Sequence, residues 1–320
     1  MSNNPEISIL VPCCNVERFV RQCLESIQRQ TFTNFEVICL NDGSRDNTLS
    51  EIKAIADNDK RFIVIDKPNT GYGATMNLGL SLARGRYIGI VESDDFIEPK
   101  MYESLYTEID EKKLDYVRCC YYRLEDGKDN REYSILLPKG RIYKPIDTPR
   151  VFKQSPSIWA ALYRADFLKN NDIKFLETPG AAFQDTSFAF KVALMSNRVS
   201  CLDVYLLHYR IHGDNSVKKS GNVSAIFKEY DESYRYACDR GLGSIVSTFF
   251  LELEYEAFKW NFYRLNDDVA DVFLREWRER WRKSKGYGVR PSNIRMYLKY
   301  LRVVLSPWFL KVYLLGREKK

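Results

Sequence analysis

Five short apolar runs, separated by stretches of helical spacing, fill roughly the first 120 residues. This alternation limits the fold more than any other feature of the chain. The runs lie at residues 7–11, 35–40, 62–65, 87–91 and 116–122. Between the first two, Val16, Phe19, Val20, Cys23, Leu24 and Ile27 fall on one helical face within 16–28, the i, i+3, i+4, i+7 pattern. Ile52, Ile55 and Ala56 repeat the pattern, as do Ala74, Leu78 and Leu82. The third helix is expected to stop at Arg84-Gly85, where glycine can take the left-handed C-cap conformation. Strands alternating with helices predict βαβ units: an α/β, Rossmann-like, mainly parallel sheet flanked by helices. Ligands of such sheets bind beyond the carboxyl ends of the strands. That rule selects three polar loops, 12–15, 41–44 and 92–96.

Two of these loops carry acids. "IGIVESDDFIEP", residues 88–99, places Glu92, Asp94 and Asp95 directly after an apolar run. Buried carboxylates need cations, hydrogen bonds or water. One reading makes the cluster a cap for the next helix, since Pro99 suits a first turn. The other makes it a site for Mg2+ or Mn2+, which are often held by one or two carboxylates and ligand phosphates. "NDGSRDNT" puts Asp42 after the second run in a turn-prone setting, with Asp46 placed to cap a helix.

Taken in order, "ISILVPCCNVERFVRQCLESIQRQTFTNFEVICLNDGSRDNT" and "NTGYGATMNLGLSLARGRYIGIVESDDFI" resemble the family 2 glycosyltransferases of bacterial capsular and O-antigen polysaccharides, which have the GT-A fold. The resemblance covers about residues 5–215. It implies that Pro12, Asn15 and Glu17 belong to the opening P-x-x-N segment of a nucleotide-sugar site. Asp42 would contact the base. Glu92-Ser93-Asp94 resembles the D-x-D motif that meets ribose, metal and diphosphate, with Asp95 as a following acid. Two positions depart from the family pattern. Glu92 stands where aspartate is usual, and Thr75-Met76-Asn77 lacks an arginine that many relatives carry. Asn77 would still line the donor site, and Lys67 or Arg84 would supply the charge.

The second half of the site follows from the same resemblance. In "ETPGAAFQDTSFAFKVAL", Asp185 reads on its own as a helix cap, and by resemblance as the general base, with Gln184 beside it facing the acceptor. A carboxylate at a helix N-terminus is expected to stay ionised. Trp159 reads as core or as an aromatic floor for the acceptor sugar. "LLHYRIHGDNSV" holds the only two histidines, His208 and His212. The stretch resembles the family's Y-R-x-H-x-x-x-S segment, and His212, in the more turn-like setting, is the expected metal ligand with Asp94 and Asp95. The implied reaction is inverting, metal-dependent hexosyl transfer with Mn2+ or Mg2+, from a UDP-sugar to a glycan or lipid-linked glycan. Two other readings compete with it. A dinucleotide-dependent oxidoreductase would rest on "GYGATM", which lacks the third glycine and follows the wrong strand. A catalytically silent glycan-binding or scaffold subunit would accommodate the Glu92 and Met76 departures.

Domains are expected at 1–223 (donor half about 1–125, acceptor half about 126–223) and at 224–320. Turn residues mark 126–156, with short strands around 133–137. Residues 224–320 read as mostly helical. Within 275–302 there are ten basic residues and two acids, interleaved with Trp277, Trp281, Tyr287, Tyr297 and Tyr300, and "VVLSPWFL" follows. This region reads either as a solvated bundle face or as a segment resting on an anionic membrane. No nucleic-acid motif accompanies the charge, and the net charge of +6 over 320 residues is mild, so nucleic acid is not an expected partner. The start, MSNNPEISILV, shows no secretory pattern. No apolar run approaches the roughly 20 residues of a spanning helix. The eight cysteines form no C-x-x-C pair and read as reduced thiols. A cytoplasmic protein, peripheral on the inner face of the cell membrane, is the expectation. The oligomeric state is not legible.

Overall fold

The computed structural model describes residues 4–125, 127–132, 139–212, 224–284 and 291–318. The chain divides into two compact units, Met1–Lys219 and Ser220–Lys320.

The first unit opens with β1 (Ile7–Cys13), α1 (Val20–Gln28), β2 (Phe35–Asp42), α2 (Thr48–Ala56), β3 (Phe62–Lys67), α3 (Tyr72–Leu82) and β4 (Tyr87–Ile90). The four strands are parallel in the order β3-β2-β1-β4. Every residue of β1, β2 and β4 is buried, which is why the sequence shows them as continuous apolar runs rather than alternating ones. On α1, Val20, Cys23, Leu24 and Ile27 are buried, the face set by the helical period. Where Gly85 was expected to cap α3, the helix has already ended at Leu82 with an extended Ala83. Gly85 instead permits close approach: a Cβ there would lie 2.5 Å from the Ser8 amide nitrogen.

Beyond β4 the sheet becomes mixed. The chain continues through β5 (Phe96–Ile97), α4 (Met101–Glu111), β6 (Tyr116–Glu125), β7 (Lys128–Glu132), β8 (Ala161–Arg164), α5 (Ala165–Asn170), α6 (Gln184–Met195) and β9 (Val199–Arg210). The order runs on from β4 as β8-β6-β9-β5, with β7 paired to β6. β8 is antiparallel to both β4 and β6, while β9 returns parallel to β6. β9 also pairs with the short β5 just after the acidic loop, Phe96 facing His208. That pairing carries the end of β9 to the end of β4. Residues 133–137, expected to form short strands, lie outside the described residues.

The second unit is helical: α7 (Ala225–Asp239), α8 (Gly243–Phe262), α9 (Asp267–Ser284), α10 (Ile294–Leu305) and α11 (Pro307–Glu318). Its core is aromatic. Phe227 stacks on Phe273, Phe258 meets Trp277 edge-on, and Trp281 stacks on Tyr300. Trp277 and Trp281 are 0% exposed, so the tryptophans of the basic stretch are core residues. Among the described residues no helix is long and apolar enough to cross a membrane. All eight cysteines are free thiols, and only Cys14 and Cys238 are exposed.

Candidate active site

The loops after β1 and β2 clasp each other at the carboxyl end of the sheet. Asn15, in the left-handed region at φ 54, donates its amide N–H to the Ser44 hydroxyl oxygen (3.0 Å), and its Oδ1 accepts from the Arg45 amide (2.8 Å). Glu17 Oε2 accepts from the Asn47 amide at 2.8 Å, and the Glu17 amide donates to Asp46 Oδ2 at 3.1 Å. Pro12, on buried β1 beside Leu40 of β2, backs this loop pair. Asp42 ends β2 and is the centre of a cradle. Its Oδ1 accepts from Lys67 Nζ and the Thr70 amide (2.8 Å), and its Oδ2 from the Gly71 amide (3.0 Å). Burial pushes its carboxyl up, but the Lys67 ammonium and the Thr70 amide outweigh burial and hold it below the usual range. Gly43 (φ 67) completes the turn. A Cβ there would sit 2.6 Å from the Asn69 nitrogen.

The acidic loop after β4 holds three carboxyls in three settings. Glu92 is partly buried and accepts from the Tyr72 hydroxyl at 2.6 Å. Burial pushes it up to about 8; the Tyr72 hydroxyl lowers it, and the Asp94 and Asp185 charges raise it further. Ser93 is buried. Asp94 turns outward, with Oδ2 3.0 Å from His212 Nε2, while its backbone carbonyl accepts from Arg210 Nε at 2.8 Å. His212 leans on the ring of Phe19, with centroids 4.6 Å apart. Asp95 sits apart from that pair. It is 0% exposed, its Oδ1 accepts from the Arg210 amide at 2.8 Å, and burial pushes it well above the carboxylate range. Asp95 thus anchors the end of β9 to the loop.

The Asp94 carboxylate is a donor of the kind that suits Mn2+ or Mg2+, and the His212 imidazole 3.0 Å away adds a nitrogen that Mn2+ takes more readily than Mg2+. Asp94 and His212 would therefore hold such an ion. Among the described residues no three His, Cys, Asp or Glu side chains converge on one point. That suits ions which complete their shell with water and ligand phosphates. His208, the other histidine, is buried between Phe96 and Tyr122, with centroids at 4.3 and 4.9 Å. Its ring nitrogens lie 2.9 Å from Asp129 and 2.8 Å from Glu98.

Asp185 enters from another element, in the first turn of α6. On top of burial, its charge raises the pKa values of Glu92 and Tyr209, so it lies near enough to both to influence them. Burial pushes its carboxyl up to about 6, outweighing the Thr186 and Asp185 amides that favour the ionised form. The helix start alone, expected to keep it fully ionised, is the weaker influence. Trp159, 8% exposed, stacks on Tyr209 at 5.1 Å and meets Tyr121 edge-on at 4.6 Å, forming an aromatic wall beside the β9 end.

Several expected contacts have other work. Arg84 donates to Glu36 at 2.5 Å and lies by Ser8, at the amino ends of β1 and β2, remote from the cleft. Lys67 is engaged with Asp42 and with Thr70 Oγ1 (2.6 Å). Asn77 holds the segment after α5, donating to the Phe175 carbonyl (3.0 Å) and Glu177 Oε1 (2.8 Å). Gln184, 2% exposed, accepts from the Ala182 amide (2.6 Å) and donates to Thr178 Oγ1 (2.9 Å). It shapes the loop that leads to Asp185. Tyr72 was missed by sequence reasoning. The only signal was an aromatic residue between two glycines at the start of α3.

Residues 8–170 match the family model for glycosyl transferase family 2. The chain is 32% identical over 246 residues to the uncharacterized glycosyltransferase EpsJ of Bacillus subtilis, covering 72% of this chain and 68% of that one. It is 31% identical over 235 residues to glycosyltransferase GlyA of Streptococcus pneumoniae, covering 70% of this chain but 32% of the relative. Among solved structures, TarS 1–349 of S. aureus, in complex with UDP-GlcNAc, superposes with TM-score 0.78 over 97% of this chain and 92% of that one, at 19% identity. That likeness establishes the GT-A architecture. With half of its length matched by the family model and the fold shared with TarS, the chain belongs to glycosyl transferase family 2.

Proposed function

We propose that the protein transfers a hexose from a UDP-sugar to a hydroxyl of a glycan or lipid-linked glycan, with inversion at the anomeric carbon, in the synthesis of a surface polysaccharide at the cytoplasmic face of the membrane. The observation that supports this reading is the Asp42 cradle and the Asp94–His212 pair at the same end of the sheet, with the Asp185 carboxyl, in the first turn of α6, near enough to influence Glu92. Asp42, with the clasped loops around Asn15 and Glu17, offers acceptors for a uracil ring. Glu92, steadied by Tyr72, faces the ribose side. A divalent ion bound by Asp94 and His212 would offset the charge that builds on the departing diphosphate. Asp185 takes the proton of the acceptor hydroxyl as that oxygen bonds to the anomeric carbon. The bond from that carbon to the diphosphate oxygen breaks on the opposite face, which inverts the centre. The aromatic wall of Trp159 and Tyr209 suits the apolar face of an acceptor sugar.

Base and cation work on different substrates, so they can be tested separately. Calorimetry with UDP and Mn2+ should show binding to the parent and its loss in Asp94→Ala. Equal affinities would return the acidic loop to a helix-cap role. Turnover of a nucleotide-sugar panel, with and without Mn2+, identifies the donor, and the anomeric configuration of the product by NMR tests inversion. Absence of turnover across the panel, with binding intact, would favour a silent glycan-binding subunit.

A further inference from the structure

The helical unit presents an apolar stripe that its own core leaves uncovered. On α10 the inward residues are Met296, Tyr300 and Val303. Positions 294, 298, 301 and 305 lie within about 60° of one another on the opposite side, at 3.6 residues per turn. All four are apolar: Ile294 is 70% exposed, Leu298 46% and Leu305 66%, with Leu301 partly covered. The neighbouring α11 repeats the arrangement, with Leu310 and Leu314 buried and Val312 and Leu315 exposed at 50% and 42%. Arg302 lies over the Tyr313 ring at 4.2 Å and so links the two helices. A soluble helix ordinarily has one apolar face; these two have an inner and an outer one.

Charge selects the occupant. Between Glu279 and Glu318 the sequence contains ten basic residues and no acid. Some of these cations are matched within the unit: Arg280 pairs with Glu254 and Asp231, Lys299 with Glu256, and Lys311 with Asp271. On α10 itself, exposed Arg295 and partly buried Arg302 flank the outer stripe on one edge, and Tyr297 flanks it on the other. Apolar side chains edged by arginine and an aromatic ring, with no carboxylate on the helix, match the headgroup boundary of an anionic bilayer. We infer that the outer faces of α10 and α11 form a docking surface for an anionic lipid membrane, on which the protein lies without crossing. The tryptophans of α9, being core, take no part.

Co-sedimentation of the full chain with phosphatidylcholine vesicles, with and without phosphatidylglycerol, tests this surface without reference to sugar transfer. Binding is expected only with the anionic lipid, and it should weaken at high salt. Arg295→Gln should lower the partition coefficient about fivefold, the effect of one basic residue at such a surface. Leu298→Gln with Leu305→Gln should lower it at least about tenfold, with an unchanged melting temperature, since both side chains are exposed. The inference fails if the parent stays in the supernatant at low salt, or if the double leucine variant sediments like the parent. It also fails if sizing shows a dimer that the leucine variant dissolves while neither protein binds vesicles; the stripe would then join two copies of the chain.

Discussion

The Asp185 carboxyl stands where amide groups favour its charge, yet burial holds its proton up to about 6. Two pH dependences of opposite direction follow. Transfer needs the ionised base, so the rate should fall as pH drops through about 6. Stability runs the other way. The folded chain keeps the proton up to about 6 and the unfolded chain releases it near 3.8, so folding loses support as pH rises between these values. Asp185→Asn removes both effects. It should lower transfer roughly 100-fold or more and leave UDP affinity unchanged. It should also raise stability at pH 7 by at most about 3 kcal/mol, at about 1.4 kcal/mol per pKa unit, with no gain below pH 4. Rate profiles and urea titrations at both pH values check the pair. A collapse of UDP affinity would make Asp185 a binding residue. Asp42 and Asp94 stand out in the sequence because each follows a strand-like apolar run, whereas Asp185 on its own reads as a helix cap and only the family resemblance points to it as a base. The hydrogen-bond partners do not stand out. Asn77 answers to Phe175 and Glu177, and Gln184 closes its own loop, and nothing near either residue in the chain signals this. His212 and His208 are only four positions apart, but the pairing of β5 with β9 sends one to Asp94 and the other between Phe96 and Tyr122.

Among the elements, α3 shows how backbone geometry builds the cleft. "GYGATM" suggested a weak phosphate fingerprint, but the glycines have steric duties. Gly71 has φ 90, and a Cβ on Gly73 would lie 2.1 Å from the Leu176 carbonyl oxygen. The Tyr72 amide donates to the Gly180 carbonyl at 3.0 Å. The start of α3 therefore packs directly on the loop that leads to Asp185. Helix propensity alone predicts that Gly73→Ala stabilises the protein by up to roughly 1 kcal/mol. The contact predicts the reverse, a net loss of about 1–3 kcal/mol as loop and helix move apart, together with weaker UDP binding as Tyr72 leaves Glu92. Denaturant unfolding gives the sign directly, and a stabilised variant would show that the loop yields freely. The strands of the first unit were legible because burial on both faces leaves continuous apolar runs. The mixed half was not, because β8 and β9 reach β4 and β6 through pairings that cross long stretches of chain.

At the scale of the whole molecule, the helical unit was legible as helices but not as a bundle with a particular core. Periodicity places Trp277 and Trp281 one turn apart, on a stretch with arginines at 275, 278, 280 and 282; which side faces inward depends on α8. There Glu254, 2% exposed, accepts from Trp281 Nε1 at 2.8 Å and from Arg280 Nε at 2.8 Å. Arg280 also reaches Asp231 on α7, so one buried carboxylate joins three helices. Removing it leaves an indole N–H buried without its acceptor and a largely buried guanidinium with a single exposed partner. Breaking a buried pair in this way ordinarily costs about 3–5 kcal/mol. Glu254→Ala should lower the melting temperature and the urea midpoint by a corresponding amount. Glu254→Gln retains a carbonyl acceptor for the indole and should cost less. Near-UV circular dichroism, which reports the packed aromatic core, should lose its signal at lower urea in the alanine variant. UDP–Mn2+ binding, measured well below the transition, should match the parent, because Asp42, Asp94 and His212 all belong to the first unit. An alanine variant as stable as the parent would mean that the aromatic packing of Phe258, Trp277 and Tyr300 sets the inward face of α9 without the carboxylate.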